Sequence, residues 1–291
     1  MEIILGLTDK MNKGGFHMLG QWSSTGMSIL NNMNRNWHSA NQALMRISTG
    51  YRINSAADDP AGLAISEKMR AQIRGLNMAA KNIQDGISLV QTAEGALYET
   101  HAMIQRMREL AIQAANDTLT DDDRKQINIE FQQLKEEITR TATDTEFNTR
   151  KLLNGDYESN PLKIQVGANA GQTIDIYIGE MDSTRLGIED SDILTRENAD
   201  KTIGELDNAL KLVSSERSRL GAYQNRMEHA YNNTVNTAEN LAAAESRIRD
   251  ADIAKEMMNY TKASILLQAS QYILALHMQQ AQSVLMLLKN D

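Results

Sequence analysis

The side chains in this sequence with the greatest chemical potential are its five histidines and a few close carboxylates. His17, His38, His101, His229 and His277 are scattered, and none stands in the His-Glu-x-x-His spacing that puts two zinc ligands on one helical face. The pairs Asp58-Asp59 and Asp250/Asp252, and the run Asp121-Asp122-Asp123, flank helical patterns. Carboxylates there cap helices and complement the positive end of the helix dipole, which explains them without acid–base chemistry or a bound cation. There is no Gly-x-Ser-x-Gly nucleophile elbow and no phosphate-cradling glycine loop. With no cysteine, disulfides and thiolate metal sites are excluded. The expectation is a chain that is not an enzyme and that needs no cofactor and no metal.

The elements that would carry any site are long helices. Only two prolines, Pro60 and Pro161, occur in 291 residues, and an interior proline costs a helix about 3 kcal/mol. From Met69 the apolar residues Leu76, Ile83, Val90, Leu97, Ile104 and Ala111 recur every seven positions. Ile73, Ala80 and Ile87 hold a second position that Glu94, His101 and Arg108 then interrupt, a pattern resembling a coiled coil but not a strict one. The spacing predicts a helix over 61–115, about 80 Å long, opened by Asp59 as N-cap and Pro60 at its first position. A second helix is predicted from the acidic triplet to about Thr143, with Ile127, Phe131, Leu134 and Ile138 on one face. Between Phe147 and Gly187 the period changes. Residues 162–166 and 174–178 alternate apolar and polar around Gly167–Gln172, predicting an antiparallel hairpin. Helix is then expected from about Ala199 to the end, with Leu206, Val213, Leu220, Met227, Thr234, Leu241 and Ile248 in one heptad position. Ile253, Met257, Tyr260, Leu267, Leu274, Met278, Ala281, Leu285 and Leu288 carry the apolar pattern onward. The fold class is therefore mainly α: a long antiparallel coiled-coil-like helical rod built from both halves of the chain, with a small β-hairpin insert.

Aromatic residues make up only 4%, which suits thin helical packing better than a compact core. The net charge of -8 and the lack of a basic stripe disfavour nucleic acid. No apolar run approaches 18 residues, so no membrane insertion is expected. The opening residues lack the basic region and cleavage site of a conventional secretory signal. Lys13-Gly14-Gly15 can be encoded by a ribosome-binding sequence just upstream of Met18; translation is expected to start there, with 1–17 as an upstream extension. Residues 18–48 and 253–291 are helix-prone, rich in Met and Leu and poor in charge. Their apolar stripes exceed what one thin rod can bury, which points to burial between subunits.

Several blocks carry a family resemblance. Ser48-Thr49-Gly50-Tyr51-Arg52-Ile53-Asn54-Ser55-Ala56-Ala57-Asp58-Asp59-Pro60-Ala61-Gly62-Leu63-Ala64-Ile65 resembles the signature after the first helix of bacterial flagellins. Gln84-Asp85-Gly86-Ile87-Ser88-Leu89, Gln91–Leu97, Leu220-Gly221-Ala222-Tyr223-Gln224-Asn225-Arg226-Met227 and Ala238–Asp252 resemble further flagellin blocks, in the same order. With only about fifty residues between its long helices, the chain looks like a minimal flagellin without large outer domains.

The resemblance implies an extracellular filament subunit for swimming motility, exported by the flagellar type III apparatus and polymerising with itself into a helical homopolymer. It implies a core helix and spoke over 18–58, rod helices over 59–146, a β region over 147–198, a C-terminal rod helix over 199–252 and a second core helix over 253–291. Arg52, Asn54, Asp58 and Asp59 resemble the spoke. Arg106 and Leu110, with Glu130 on the next helix, match the positions by which relatives are gripped by a host Toll-like receptor. Leu267, Leu274 and Leu285 lie in the segment that family export chaperones cover, and hook-associated and cap proteins are further implied partners. Met18–Gly26 and Leu276–Gln282 depart from the family pattern and bear on polymerisation. The other readings are a hook–filament junction protein and a non-polymerising surface homologue.

Overall fold

In the computed structural model, the backbone of residues 2–289 and the side chains of 24–280, 282 and 283 are described. The side chain of Leu285 and those of residues 1–17, with the expected start at Met18, lie outside the described residues. The elements run α1 (Glu2–Thr49), α2 (Pro60–Ala114), α3 (Asp121–Asp144), β1 (Glu146–Phe147), β2 (Arg150–Lys151), α4 (Asp156–Ser159), β3 (Leu162–Gln165), β4 (Thr173–Ile176), α5 (Arg196–Arg249) and α6 (Ile253–Lys289). They divide into two compact units, one of residues 1–68 with 243–291 and the other of 69–242.

In the 69–242 unit, α2 and α5 run antiparallel and α3 lies against them. The predicted seam residues Ile83, Val90, Leu97, Ile104 and Ala111 on α2, and Leu206, Val213, Leu220 and Met227 on α5, are all buried in one core with Phe131 and Ile138 of α3. Two of the polar residues that interrupt the α2 pattern pair across the seam, whereas His101 contacts Gln105 on its own helix. Glu94 meets Arg217 at 2.8 Å and Arg108 meets Asp207 at 2.7 Å. The α3 N-terminus is a capping box: Asp123 N–H donates to the Thr120 hydroxyl, and Thr120 N–H donates to the Asp123 carboxylate at 3.0 Å. Such reciprocal bonding satisfies two backbone donors that a helix end otherwise leaves open.

The predicted hairpin is β3–β4, with Leu162 opposite Ile176 and Ile164 opposite Ile174. It seats on α2 where two glycines leave room. A Cβ on Gly75 would stand 2.8 Å from the Cβ of Ala168, and one on Gly86 would stand 3.3 Å from Ile164. A smaller pair, β1–β2, was not anticipated. Its turn places Asn148 and Thr149 at φ 49° and 64°, and a threonine is an unusual occupant of that left-handed region.

The irregular segment 177–195 is pinned from below. Lys135 Nζ donates to the Glu189 carbonyl at 2.7 Å, the Asn128 side chain accepts from Ile193 N–H, and the Thr202 hydroxyl donates to the Asp192 carbonyl. Gly187, Glu189 and Asp190 stay exposed.

In the other unit, α1 packs antiparallel on α6. The helix expected to continue from Ala199 to the end is instead two, broken at 250–252. Tyr51 and Asp250 form an antiparallel bridge, Ala251 N–H donates to the Gly50 carbonyl at 2.9 Å, and Asp252 caps α6 through Lys255 N–H at 3.2 Å. Backbone bonding to residues 50–52 outcompetes continued helix there, a tertiary choice that no local breaker signals. Tyr260, Leu267 and Leu274 are partly covered, whereas Ile253, Met257 and Met278 are exposed.

Candidate functional site

The unit that holds α1 and α6 leaves many large apolar side chains uncovered. Its seam is built from small and polar residues: Ala40 and Ala43 of α1 and Ala263 of α6 are buried. Glu256 is buried and accepts from Arg46 Nη1 at 3.2 Å. A polar groove of about 400 Å³ lies beside this pair, lined by Asn36, Gln42, Asn259 and Lys262. Small side chains bring the helices close but bury little apolar area, so most of the large apolar residues face outward. On α1, Leu30, Trp37 and Leu44 repeat every seven residues and are exposed. On α6, Met258, Ile265 and Tyr272 repeat likewise, each 60–68% exposed, and Leu266 and Ile273 form a second row. Exposed apolar rows of this kind are surfaces that partners commonly cover.

Next to these helices lies the 50–59 turn. Asp58 accepts from Asn54 N–H at 3.1 Å and from Ser55 N–H at 2.9 Å. Those backbone donors, Ser55 first, hold its carboxyl below the usual carboxylate range. Asn54 Nδ2 donates to the Tyr51 carbonyl, and Arg52 donates from its backbone to the Arg249 carbonyl and from its guanidinium to the Ile248 carbonyl. Asp59 caps α2, accepting Gly62 N–H at 2.9 Å. A Cβ on Gly62 would press on the capping Asp59 carboxylate and stand 2.8 Å from the end of the Ile53 side chain, so both would have to shift. The four residues expected at the spoke therefore sit in one hydrogen-bonded turn. Arg249 reinforces it, pairing with Glu67 and lying 5.0 Å over the Tyr51 ring. Sequence reasoning passes over Arg249, although its place in the Ser246–Asp252 block is a signal.

Arg106 and Glu130 form an exposed pair across α2 and α3 at 2.9 Å, and Arg106 also holds Glu109 at 3.0 Å. These partners, Glu130 foremost, raise the Arg106 pKa further and keep it charged. Leu110 is only 2% exposed, packed in the core beneath. Leu267 and Leu274 are partly covered on α6.

Among the described residues, no cluster of His, Cys, Asp and Glu is arranged to hold a metal ion. Nor is any helix there long and apolar enough to cross a membrane. A residue that sequence reasoning misses is Arg124. Nearly buried, it donates to the Ala114 and Asn116 carbonyls at the end of α2 and to Asp121.

Comparison with known proteins gives two family matches: the bacterial flagellin N-terminal helical region over residues 24–158, and the bacterial flagellin C-terminal helical region over 203–288. A flagellin of Halalkalibacterium halodurans is 52% identical over 265 residues, spanning 90% of this chain and 97% of that protein. A flagellin of Bacillus subtilis is 47% identical, with 90% and 97% covered. The crystal structure of Bacillus cereus flagellin aligns at 32% identity with a TM-score of 0.49, over 57% of this chain and 94% of that one.

Proposed function

The chain belongs to the bacterial flagellin family, and on that premise we propose that α1 and α6 are the surfaces through which it polymerises. The protein is a structural subunit of the extracellular flagellar filament, which serves swimming motility. The family is structural, and in this reading the chain has no catalytic role. The observation that carries the assembly reading is the double row of exposed apolar residues on α6, together with the exposed row on α1. Such a surface gains free energy only when neighbouring subunits cover it. Residues 18–58 and 253–291 then form the filament core. Residues 59–146, 147–198 and 199–252 form the rod domain, with Arg52, Asn54, Asp58 and Asp59 as the spoke.

The test is polymerisation of the purified chain followed by electron microscopy. Long helical filaments are expected; a chain that stays monomeric under conditions that polymerise the Bacillus subtilis relative overturns the reading.

Before assembly the same apolar rows need cover. We assign that role to a flagellar export chaperone that binds the C-terminal segment around Leu267, Leu274 and Leu285 on the route through the type III apparatus. Hook-associated and cap proteins bound the filament at its ends. Arg106 and Glu130 offer a charged face to a host Toll-like receptor, with Leu110 fixing α2 beneath it. A receptor-reporter assay should lose signal about tenfold or more for Arg106→Ala, since charge-assisted pairs at an interface are costly to truncate.

A further inference from the structure

Methionine is distributed unevenly over the exposed surface. Among the described residues, the 1–68/243–291 unit exposes Met27, Met45, Met257, Met258 and Met278 and partly covers Met33. In the 69–242 unit Met107, Met181 and Met227 are buried, Met69 and Met103 are partly covered, and Met78 is exposed. The five exposed thioethers of the first unit stand among the apolar rows of α1 and α6, and Met257 and Met258 share a shallow cleft with Ile265 and Leu266.

We propose that these five methionines are a modification site for peroxides, and that their oxidation blocks assembly reversibly. The proposal rests on the filament reading above, because it assigns a sensitivity to the assembly surface itself. The sulfur lone pair of each thioether attacks one peroxide oxygen. The O–O bond breaks, an S–O bond forms, and the sulfur loses two electrons while hydrogen peroxide is reduced to water. A flexible apolar side chain thereby becomes a polar, hydrogen-bond-accepting sulfoxide. On a free subunit the new oxygen is solvated at no cost. Between packed subunits it has no donor, so the penalty falls on the polymer and not on the monomer. The buried methionines of the other unit are shielded, and its fold persists. A subunit oxidised before incorporation is thus refused, and one already packed is protected.

The experiment uses the full chain with hydrogen peroxide as probe. Intact and peptide mass spectrometry of the treated monomer should place one oxygen on each of the five residues and none on Met107, Met181 or Met227. The critical concentration for polymerisation should rise about tenfold or more. Methionine sulfoxide reductases should return it to its starting value. A chain carrying Met→Leu at the five positions keeps apolar volume and should polymerise equally with and without peroxide. Unchanged assembly of wild type bearing all five sulfoxides would overturn the proposal, as would equal loss in the leucine chain. If the leucine chain fails to assemble untreated, reductase rescue of the wild type still decides. Failure of untreated wild type to polymerise would count against the filament reading instead.

Discussion

Arg124 donates three hydrogen bonds while nearly buried, so truncating it strands acceptors as well as removing a charge. Its bonds to the Ala114 and Asn116 carbonyls close the C-terminus of α2, where a cation also complements the helix dipole. Arg124→Met is expected to destabilise the monomer by about 1.5–3 kcal/mol, the range for hydrogen bonds to a charged group, read by urea denaturation under circular dichroism. Asp58 sets a pH dependence. Its carboxyl is depressed by Ser55 and Asn54 N–H donors, so its contribution is complete above the ordinary aspartate pKa and is lost as pH falls through the lower folded value. The protection factors of the Asn54 and Ser55 amides, taken relative to the intrinsic exchange rate at each pH, should hold at neutral pH and fall below about pH 4. Asp58→Asn should show low protection at both. Protection factors that persist unchanged in acid would refute the assignment.

Two glycines of α2 give opposite expectations because their surroundings differ. A methyl group added at Gly95 would meet nothing within 4 Å, so Gly95→Ala should stabilise by up to about 1 kcal/mol through helix propensity. Gly75 faces the hairpin at Ala168, so Gly75→Ala should cost about 1–3 kcal/mol by overpacking. Ala168→Gly should recover part of that loss, and a double-mutant cycle from thermal melts measures the coupling. The long elements were legible from heptad spacing alone, since Ile83 to Ala111 and Leu206 to Met227 are buried as their period requires. The 250–252 break was not. Asp250, Ala251 and Asp252 include neither Gly nor Pro, and what ends α5 is backbone pairing with residues some 200 positions earlier. The β1–β2 turn was equally hidden, because Thr149 at positive φ contradicts its own propensity. At the spoke turn, the family resemblance pointed to Arg52, Asn54, Asp58 and Asp59. The Arg249 contact depends on that same break and so could not be read locally.

For the whole molecule, the division between a buried core in one unit and outward apolar rows in the other separates folding from assembly. Ile265→Asp, at the centre of the Met258–Ile265–Tyr272 row, should abolish filament formation while leaving the thermal transition of the 69–242 core within about 0.5 kcal/mol of wild type. Sedimentation after polymerisation checks the first, and calorimetry the second. A variant that still pellets would show that this row is not the contact. The tethered 177–195 segment carries a different consequence. Glu189 and Asp190 are exposed, while Asn128, Lys135 and Thr202 fasten the backbone on either side. A foreign peptide grafted between Glu189 and Asp190 would hang from two fixed posts, and the entropy of its loop grows only slowly with length. The fold thus supplies a display scaffold, able to repeat an inserted epitope once per copy without disturbing the helices that hold it.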